Sequence, residues 1–165
     1  MNQIGKSVVF SFVIVLSLFS LLLTGCNLGN TSEDSRKSMI QSVNPDPTAI
    51  QDEKGKNYKI AEKVKKDVKS VPAIFDVAVL KGEEQVLVAY KVKHMQRMHM
   101  KKIEKDIKQR LEKNYPEENF IVSSDYKIFI EVLELKEKMR EDNNFSKEKA
   151  EERLQKIIEF QQELT

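Results

Sequence analysis

Apolar residues recur three or four positions apart in four segments, and this spacing predicts four amphipathic helices. The four apolar stripes are Ile60, Ala61, Val64 and Val68; Met100, Ile103, Ile107 and Leu111; Ile128, Val132, Leu135 and Met139; and Ala150, Leu154, Ile157, Ile158 and Leu164. Pro72 and Pro116 end the first two helices, because proline cannot continue the helical hydrogen bonding. Ser124 or Asp125 can cap the third helix, and Ser146 can cap the last.

Between these helices, alternating and β-branched residues predict three strands. Residues 73–80 and 86–90 flank the turn Lys81-Gly82-Glu83 and form a hairpin, and the third strand is Asn119–Ser123. The chain is therefore predicted to fold as an α+β domain with a small three-stranded sheet and the element order α-β-β-α-β-α. Packing the helices on one face of the sheet would bury their apolar stripes, and the extra C-terminal helix follows this unit.

The N-terminal region has a different pattern, that of a secretory signal. Lys6 is the only charge in the first 32 residues, and an apolar run from Val8 to Leu23 follows it, interrupted only by serine. The run ends in Leu23-Thr24-Gly25-Cys26, in which small residues precede a cysteine. Signal peptides have this layout of a positive start, an apolar core and small residues before the cleavage site.

A cysteine directly after the cleavage site is the signature of bacterial lipoproteins. The Cys26 thiolate is the nucleophile that accepts a diacylglycerol unit, and cleavage after Gly25 leaves the lipidated cysteine at the new N-terminus. Leu23, Thr24 and Gly25 are predicted to specify this processing, which removes residues 1–25. The alternative is a transmembrane helix with an incidental cysteine, although the run is slightly short for a bilayer span.

Residues 26–56 are predicted to form the lipidated N-terminus and a flexible tether, since Asn, Gly, Ser, Thr, Asp and Pro dominate them. The alternative is that Ile40, Val43 and Ile50 form a short docked element. This choice decides whether the domain is free to move away from the lipid.

Without its signal the chain has 140 residues, enough for one domain with a modest core. The domain is predicted at 57–140 and the C-terminal helix at 145–165. That helix either packs back on the domain or docks to another membrane protein or a second copy. Cys26 is the only cysteine, so lipidation would leave no thiol for a disulfide.

Charge is distributed unevenly, although the chain's net charge is only +2. Residues 54–69 hold seven lysines against two acids, and residues 91–113 hold nine basic residues against three acids, whereas residues 131–163 hold ten acids against seven bases. If the two basic helices cover the same sheet face, they form a basic plate that suits anionic lipid or wall polymer. The contact residues proposed for it are Lys63, Lys66, Arg97, Lys101, Lys105 and Lys108. The alternative is that these lysines only solvate two exposed helix faces.

The chain shows no pattern typical of an enzyme. A zinc protease motif needs two histidines one helical turn apart around a glutamate, whereas His94 and His99 are five positions apart. Together with Met95, Met98 and Met100 they form a weak candidate for a soft metal site. The preferred interpretation is a helix start whose methionines fill gaps in the core.

No glycine-rich loop follows a strand, and the chain has only five glycines, so a phosphate-binding loop is not expected. Aromatic stacking platforms and a recognition motif are missing, which argues against nucleic acid as a partner. We therefore expect no catalytic residue, no cofactor and no metal.

Several segments, taken in order behind the Cys26 motif, resemble a known family. They are Ile60-Ala61, Val64, Val71, Val77-Ala78-Val79, Val86-Leu87-Val88-Ala89 and Phe120-Ile121-Val122-Ser123-Ser124-Asp125. This series resembles the YhcN/YlaJ sporulation lipoproteins of endospore-forming Gram-positive bacteria, over residues 57–140 and the signal. Two features depart from the family pattern: Ala73-Ile74 stands where Gly-Val is usual, and the helix after Ser146 is an addition.

The resemblance implies a lipoprotein on the extracytoplasmic face of the forespore or spore inner membrane, with a role in spore formation, germination or outgrowth. We expect contact with membrane, wall polymer or protein, including a spore-membrane protein at the C-terminal helix, and no catalysis. One alternative is an oligomerising assembly module of an envelope complex, because the element order also resembles BON-type and ring-building domains. A ligand-binding or metal-binding lipoprotein is the other alternative.

Overall fold

The structure is a computed structural model that describes residues 44–52, 54–142 and 144–164. Its elements, in chain order, are β1 (Thr48–Ala49), α1 (Lys56–Lys69), β2 (Ile74–Lys81), β3 (Gln85–Val92), a 3₁₀ helix (His94–His99), α2 (Met100–Asn114), β4 (Asn119–Ser123), α3 (Tyr126–Glu141) and α4 (Lys147–Glu163). The three predicted strands are β2, β3 and β4, and the four predicted helices are α1 to α4. The α+β class is therefore confirmed.

The sheet has four strands in the spatial order β1-β2-β3-β4. Strands β2 and β3 form the predicted antiparallel hairpin, β1 runs parallel to β2, and β4 runs parallel to β3. The prediction of three strands is wrong because it omits β1. With only two residues, β1 is too short to show the alternation by which a strand is identified in a sequence.

The two faces of the sheet are covered by different pairs of helices. Helices α1 and α2 pack on the face that carries Val77, Val79, Val86 and Val88. Helices α3 and α4 pack on the opposite face, against a second set of strand residues: Ala78, Leu80, Leu87 and Ala89. The prediction that the helices of the α-β-β-α-β-α unit pack on one face is therefore wrong, since α3 lies on the face opposite α1 and α2.

The reason is visible in the central hairpin. Residues 77–80 and 86–90 are apolar at every position, and all of them are buried. A strand with one solvated face alternates apolar and polar residues, whereas a continuous apolar run indicates burial on both faces. Two faces therefore need cover, and one helix layer cannot supply it.

The segment 44–52, here called the leading segment, is part of the fold. Its strand β1 pairs with β2, the backbone amide of Ile50 donates to the carbonyl of Lys81 over 2.9 Å, and Ala49 and Ile50 are buried. The tether prediction is therefore wrong for residues 44–52, because the apolar burial of Ile50 fixes them to the sheet. Ile40 and Val43, the other members of the docked alternative, lie outside the described residues.

Helix α4 packs back on the domain. Ala150, Leu154, Ile157 and Ile158 are buried in the core against α3, while Leu164, also assigned to this stripe, is 44% exposed. The carboxylate of Glu151 accepts hydrogen bonds from the Glu83 amide (2.9 Å) and the Gln51 side chain (3.1 Å). These bonds join α4 to the β2–β3 turn and to the leading segment. Of the two predicted arrangements, packing on the domain is therefore the one observed.

The buried carboxylate of Asp76 forms an ion pair within the sheet and also binds the leading segment. Asp76, on β2, is fully buried. Its Oδ2 forms an ion pair with Lys91 Nζ on β3 over 3.1 Å, and this oxygen accepts no hydrogen bond from the described residues. Its Oδ1 accepts from the backbone amides of Asn44 (2.7 Å) and Val77 (3.0 Å). Asn44 has a φ of 65°, a left-handed conformation that asparagine tolerates better than most residues.

We expect Asp76→Ala to lower the free energy of unfolding by about 3 kcal/mol, since Lys91 loses its compensating charge in a mostly buried site. The measurement is urea unfolding of both proteins near neutral pH. Glu62→Ala is the matched control, because the Glu62–Lys66 pair is exposed and such pairs contribute about 1 kcal/mol or less. Equal losses in the two variants would contradict the structural role of Asp76.

Candidate functional site

Helices α1 and α2 lie side by side on one sheet face, which is the arrangement that a basic plate requires. Asp67 of α1 joins them: its carboxylate accepts from Asn114 Nδ2 over 2.7 Å and pairs with Arg110, both of which belong to α2. Arg110 also donates to Ser70 Oγ over 3.1 Å. The two helices therefore present one continuous outer surface, which we call the basic plate.

The six residues proposed for anionic contact all have exposed side chains. Lys66 pairs with Glu62 at 3.0 Å, and Lys108 lies 4.0 Å from Glu112. The other four make no ion pair within the described part of the chain: Lys63, Arg97, Lys101 and Lys105. Arg97 lies in the 3₁₀ helix and not in α2, at the start of the plate.

The charge difference along the sequence becomes a difference between the two helix layers. Helices α1 and α2 carry twelve basic residues against five acidic ones, whereas α3 and α4 carry eight against nine. The sheet separates these layers. One side of the domain is therefore strongly positive, and the other is close to neutral.

The 3₁₀ helix contains a feature that sequence reasoning missed. Met95 is 82% exposed and Met98 is 94% exposed, so the prediction that these methionines fill gaps in the core is wrong. The apolar stripe of α2 can be followed towards the N-terminus in helical steps. Three positions before Ile103 is Met100, and four positions before Met100 is Gln96, which is half-buried. The spacing therefore contained a signal that places Met95 and Met98 off the buried stripe.

A groove of about 480 Å³ lies between the leading segment and α3. Two lysines from opposite helix layers hold backbone carbonyls there: Lys65 of α1 donates to Pro45 O over 2.6 Å, and Lys136 of α3 donates to Asp46 O. Burial lowers the pKa of Lys65. The pKa of Lys136 falls to about 8, because its amine is desolvated and lies near the positive charge of Lys65. These contacts fix the position at which the chain enters the domain.

The remaining sequence predictions concern metal and membrane. No cluster of three or more His, Cys, Asp or Glu side chains is placed to hold a metal ion among the described residues, and His94 and His99 are both exposed. No helix within 44–52, 54–142 and 144–164 is long and apolar enough to cross a membrane. Leu23, Thr24, Gly25 and Cys26 lie outside the described residues.

The fold and the charged surface together define a small α+β domain with one basic helix layer, preceded in the sequence by a lipoprotein-type signal. The family model described as "Sporulation lipoprotein YhcN/YlaJ" matches residues 27–158, and the chain belongs to this family. Membership of a lipoprotein family implies a membrane-anchored location in the cell envelope. A search of curated proteins finds no match, and neither does a search of solved structures.

The family match is wider than the resemblance noted from the sequence. It covers 27–158 and not only 57–140, so it includes the leading segment and most of α4. The prediction that the helix after Ser146 is an addition to the family domain is therefore wrong up to residue 158. The packing of α4 against α3 in the core agrees with this extent.

The Lys136 site predicts a pH dependence of stability. Because the folded-state pKa of Lys136, about 8, is below its ordinary value of 10.5, the unfolded chain binds more protons between these values, and stability rises with pH. Relative to Lys136→Met, the wild-type free energy of unfolding should increase by about 1 kcal/mol between pH 7 and pH 10, allowing for partial solvent access. Urea unfolding at several pH values measures the difference. A constant or falling difference would contradict the assignment.

Proposed function

We propose that this protein is a lipid-anchored contact protein of the spore envelope, which acts without catalysis through its basic plate. A diacylglycerol unit on Cys26 holds it on the extracytoplasmic face of the forespore or spore inner membrane. From there it contributes to spore formation, germination or outgrowth. Membership of the sporulation lipoprotein family supports the anchor and the developmental setting.

The observation that carries the proposal is the charge separation between the helix layers. A positive surface that covers two adjacent helices attracts anionic headgroups, and each lysine or arginine near such a surface contributes about 1 kcal/mol. An anchored domain meets these headgroups at high local concentration. Weak individual contacts are therefore sufficient to orient it.

Anionic wall polymer has the same charge as the lipid surface and lies on the same side of the membrane. The basic plate suits either target, since both interactions depend on exposed lysines and weaken with salt. A purified bilayer tests the first target without the second. Binding to wall material alone would redirect the proposal to the polymer.

We expect Cys26→Ala to release the protein from membranes, because a chain without acyl groups keeps only the electrostatic contact. The measurement is the distribution of the full chain between membrane and soluble fractions at physiological salt. Gly25 and the preceding signal are unchanged in this variant, so secretion itself is preserved. Retention in the membrane with an uncleaved signal would instead support the transmembrane alternative.

The basic plate itself is tested with the soluble fragment 27–165 and phosphatidylglycerol-containing vesicles. We expect Lys63→Gln combined with Lys105→Gln to cost about 2 kcal/mol, or more than tenfold in affinity. The matched control is Lys149→Gln combined with Lys156→Gln on α4, which changes net charge equally. Cosedimentation at low salt measures both. Equal losses in the two pairs would show that total charge matters and that the plate does not.

A further inference from the structure

The exposed apolar side chains of the domain gather at one end of its sheet. Strand β2 begins at this end, and β3 and β4 finish there, since β2 is antiparallel to β3 and β4 is parallel to it. The backbone amide of Lys93 donates to Ala73 O over 2.8 Å, which places the 3₁₀ helix beside the start of β2. We call this region the apolar end and define it by five exposed side chains: Phe75, Met95, Met98, Met100 and Tyr126.

The described part of the chain has six exposed large apolar side chains. Five of them lie at the apolar end, and the sixth is Leu164. Scattered exposed apolar residues need no explanation, whereas a cluster of them marks an interaction site. Methionine is flexible and polarizable, which suits a partner without a fixed shape. A tyrosine beside them is typical of membrane–water interfaces.

Cations surround the apolar end. The exposed ones are Lys93, Arg97, Lys101, Lys102 and Lys127, and none of them forms an ion pair within residues 44–52, 54–142 and 144–164. The carboxylates of Asp76, Glu104 and Asp125 at this end bind other groups and not these cations. Asp76 pairs with Lys91, Glu104 accepts from the Ser124 amide and hydroxyl (3.0 and 2.9 Å), and Asp125 caps α3.

The chain also enters the domain at the apolar end. Asn44 is bonded to Asp76, which lies next to Phe75 near the start of β2, and β1 then runs parallel to β2 away from this end. Asn44 is eighteen positions after Cys26. As a coil this stretch would span roughly 25 Å, and fully extended about 60 Å. A lipid anchor on Cys26 therefore reaches this end of the domain most directly.

We propose that the apolar end docks into the anionic lipid bilayer that carries the anchor, so that the domain stands on the membrane by this end of its sheet. Met95 and Met98 enter the interfacial region, and the surrounding cations contact the headgroups. The docking proposal rests on the proposed function and adds the site of contact to it. The basic plate orients the domain, and the apolar end is the part that inserts. The occupant is a bilayer because three observations coincide at one place: the exposed apolar side chains, the cations that form no ion pair among the described residues, and Asn44, which is only eighteen positions after Cys26.

The absence of tryptophan from the sequence allows a direct test. The full chain carrying Met98→Trp is reconstituted into vesicles of phosphatidylglycerol and phosphatidylcholine with brominated acyl chains. Bromine quenches only nearby indoles, so we expect a blue-shifted emission that loses at least half of its intensity. The matched control is Glu84→Trp, an exposed position in the β2–β3 turn at the opposite end of the sheet, whose emission should stay unquenched.

Equal quenching in the two variants, or none in either while the chain floats with the vesicles, would overturn the docking and leave the anchored contact protein intact. A chain that does not float with the vesicles would overturn both. In the Met98→Trp background, Arg97→Gln with Lys101→Gln should at least halve the quenching, whereas Lys149→Gln with Lys156→Gln should not. Full quenching in vesicles of neutral lipid alone would overturn the part assigned to the cations.

Discussion

The β2–β3 hairpin, buried on both of its faces, is the constraint on which the remaining structure depends. Every residue from Val77 to Leu80 and from Val86 to Tyr90 is removed from water, so each face must be covered by apolar helix residues. Two helix layers satisfy this requirement, and the sheet keeps them apart. Because the layers differ in charge, the same burial that stabilises the domain also separates a basic side from a nearly neutral one.

The leading segment depends on the hairpin in turn. Ile50 packs in the core with the α3–α4 layer, while the carbonyls of Pro45 and Asp46 are held by lysines from both layers. Asp76, itself on the hairpin, accepts the Asn44 amide. The leading segment is thus fixed both by its buried side chain and by its backbone groups.

The sequence predicts the elements of this fold better than their arrangement. Periodicity identified four helices and the three longer strands, since each is long enough to show its period. It missed β1, which has two residues. The prediction of one covered face is wrong because residues 77–80 and 86–90 form continuous apolar runs, which indicate burial on both faces. Charge counts predicted the basic plate, whereas the exposure of Met95 and Met98 was missed, although the spacing of the α2 stripe leads back to Gln96 and not to these two methionines.

The basic plate and the apolar end would act on a membrane over different distances, which makes the two proposed contacts complementary. Electrostatic attraction by the basic plate extends over a Debye length of about 8 Å at physiological salt, so it acts before contact. The proposed apolar insertion acts only once Met95 and Met98 meet the bilayer, and salt does not screen it. Lys101, at the start of α2, belongs to both surfaces. In the proposed docking, attraction along the plate therefore brings the domain close to the membrane, and the apolar end determines which part of it remains there.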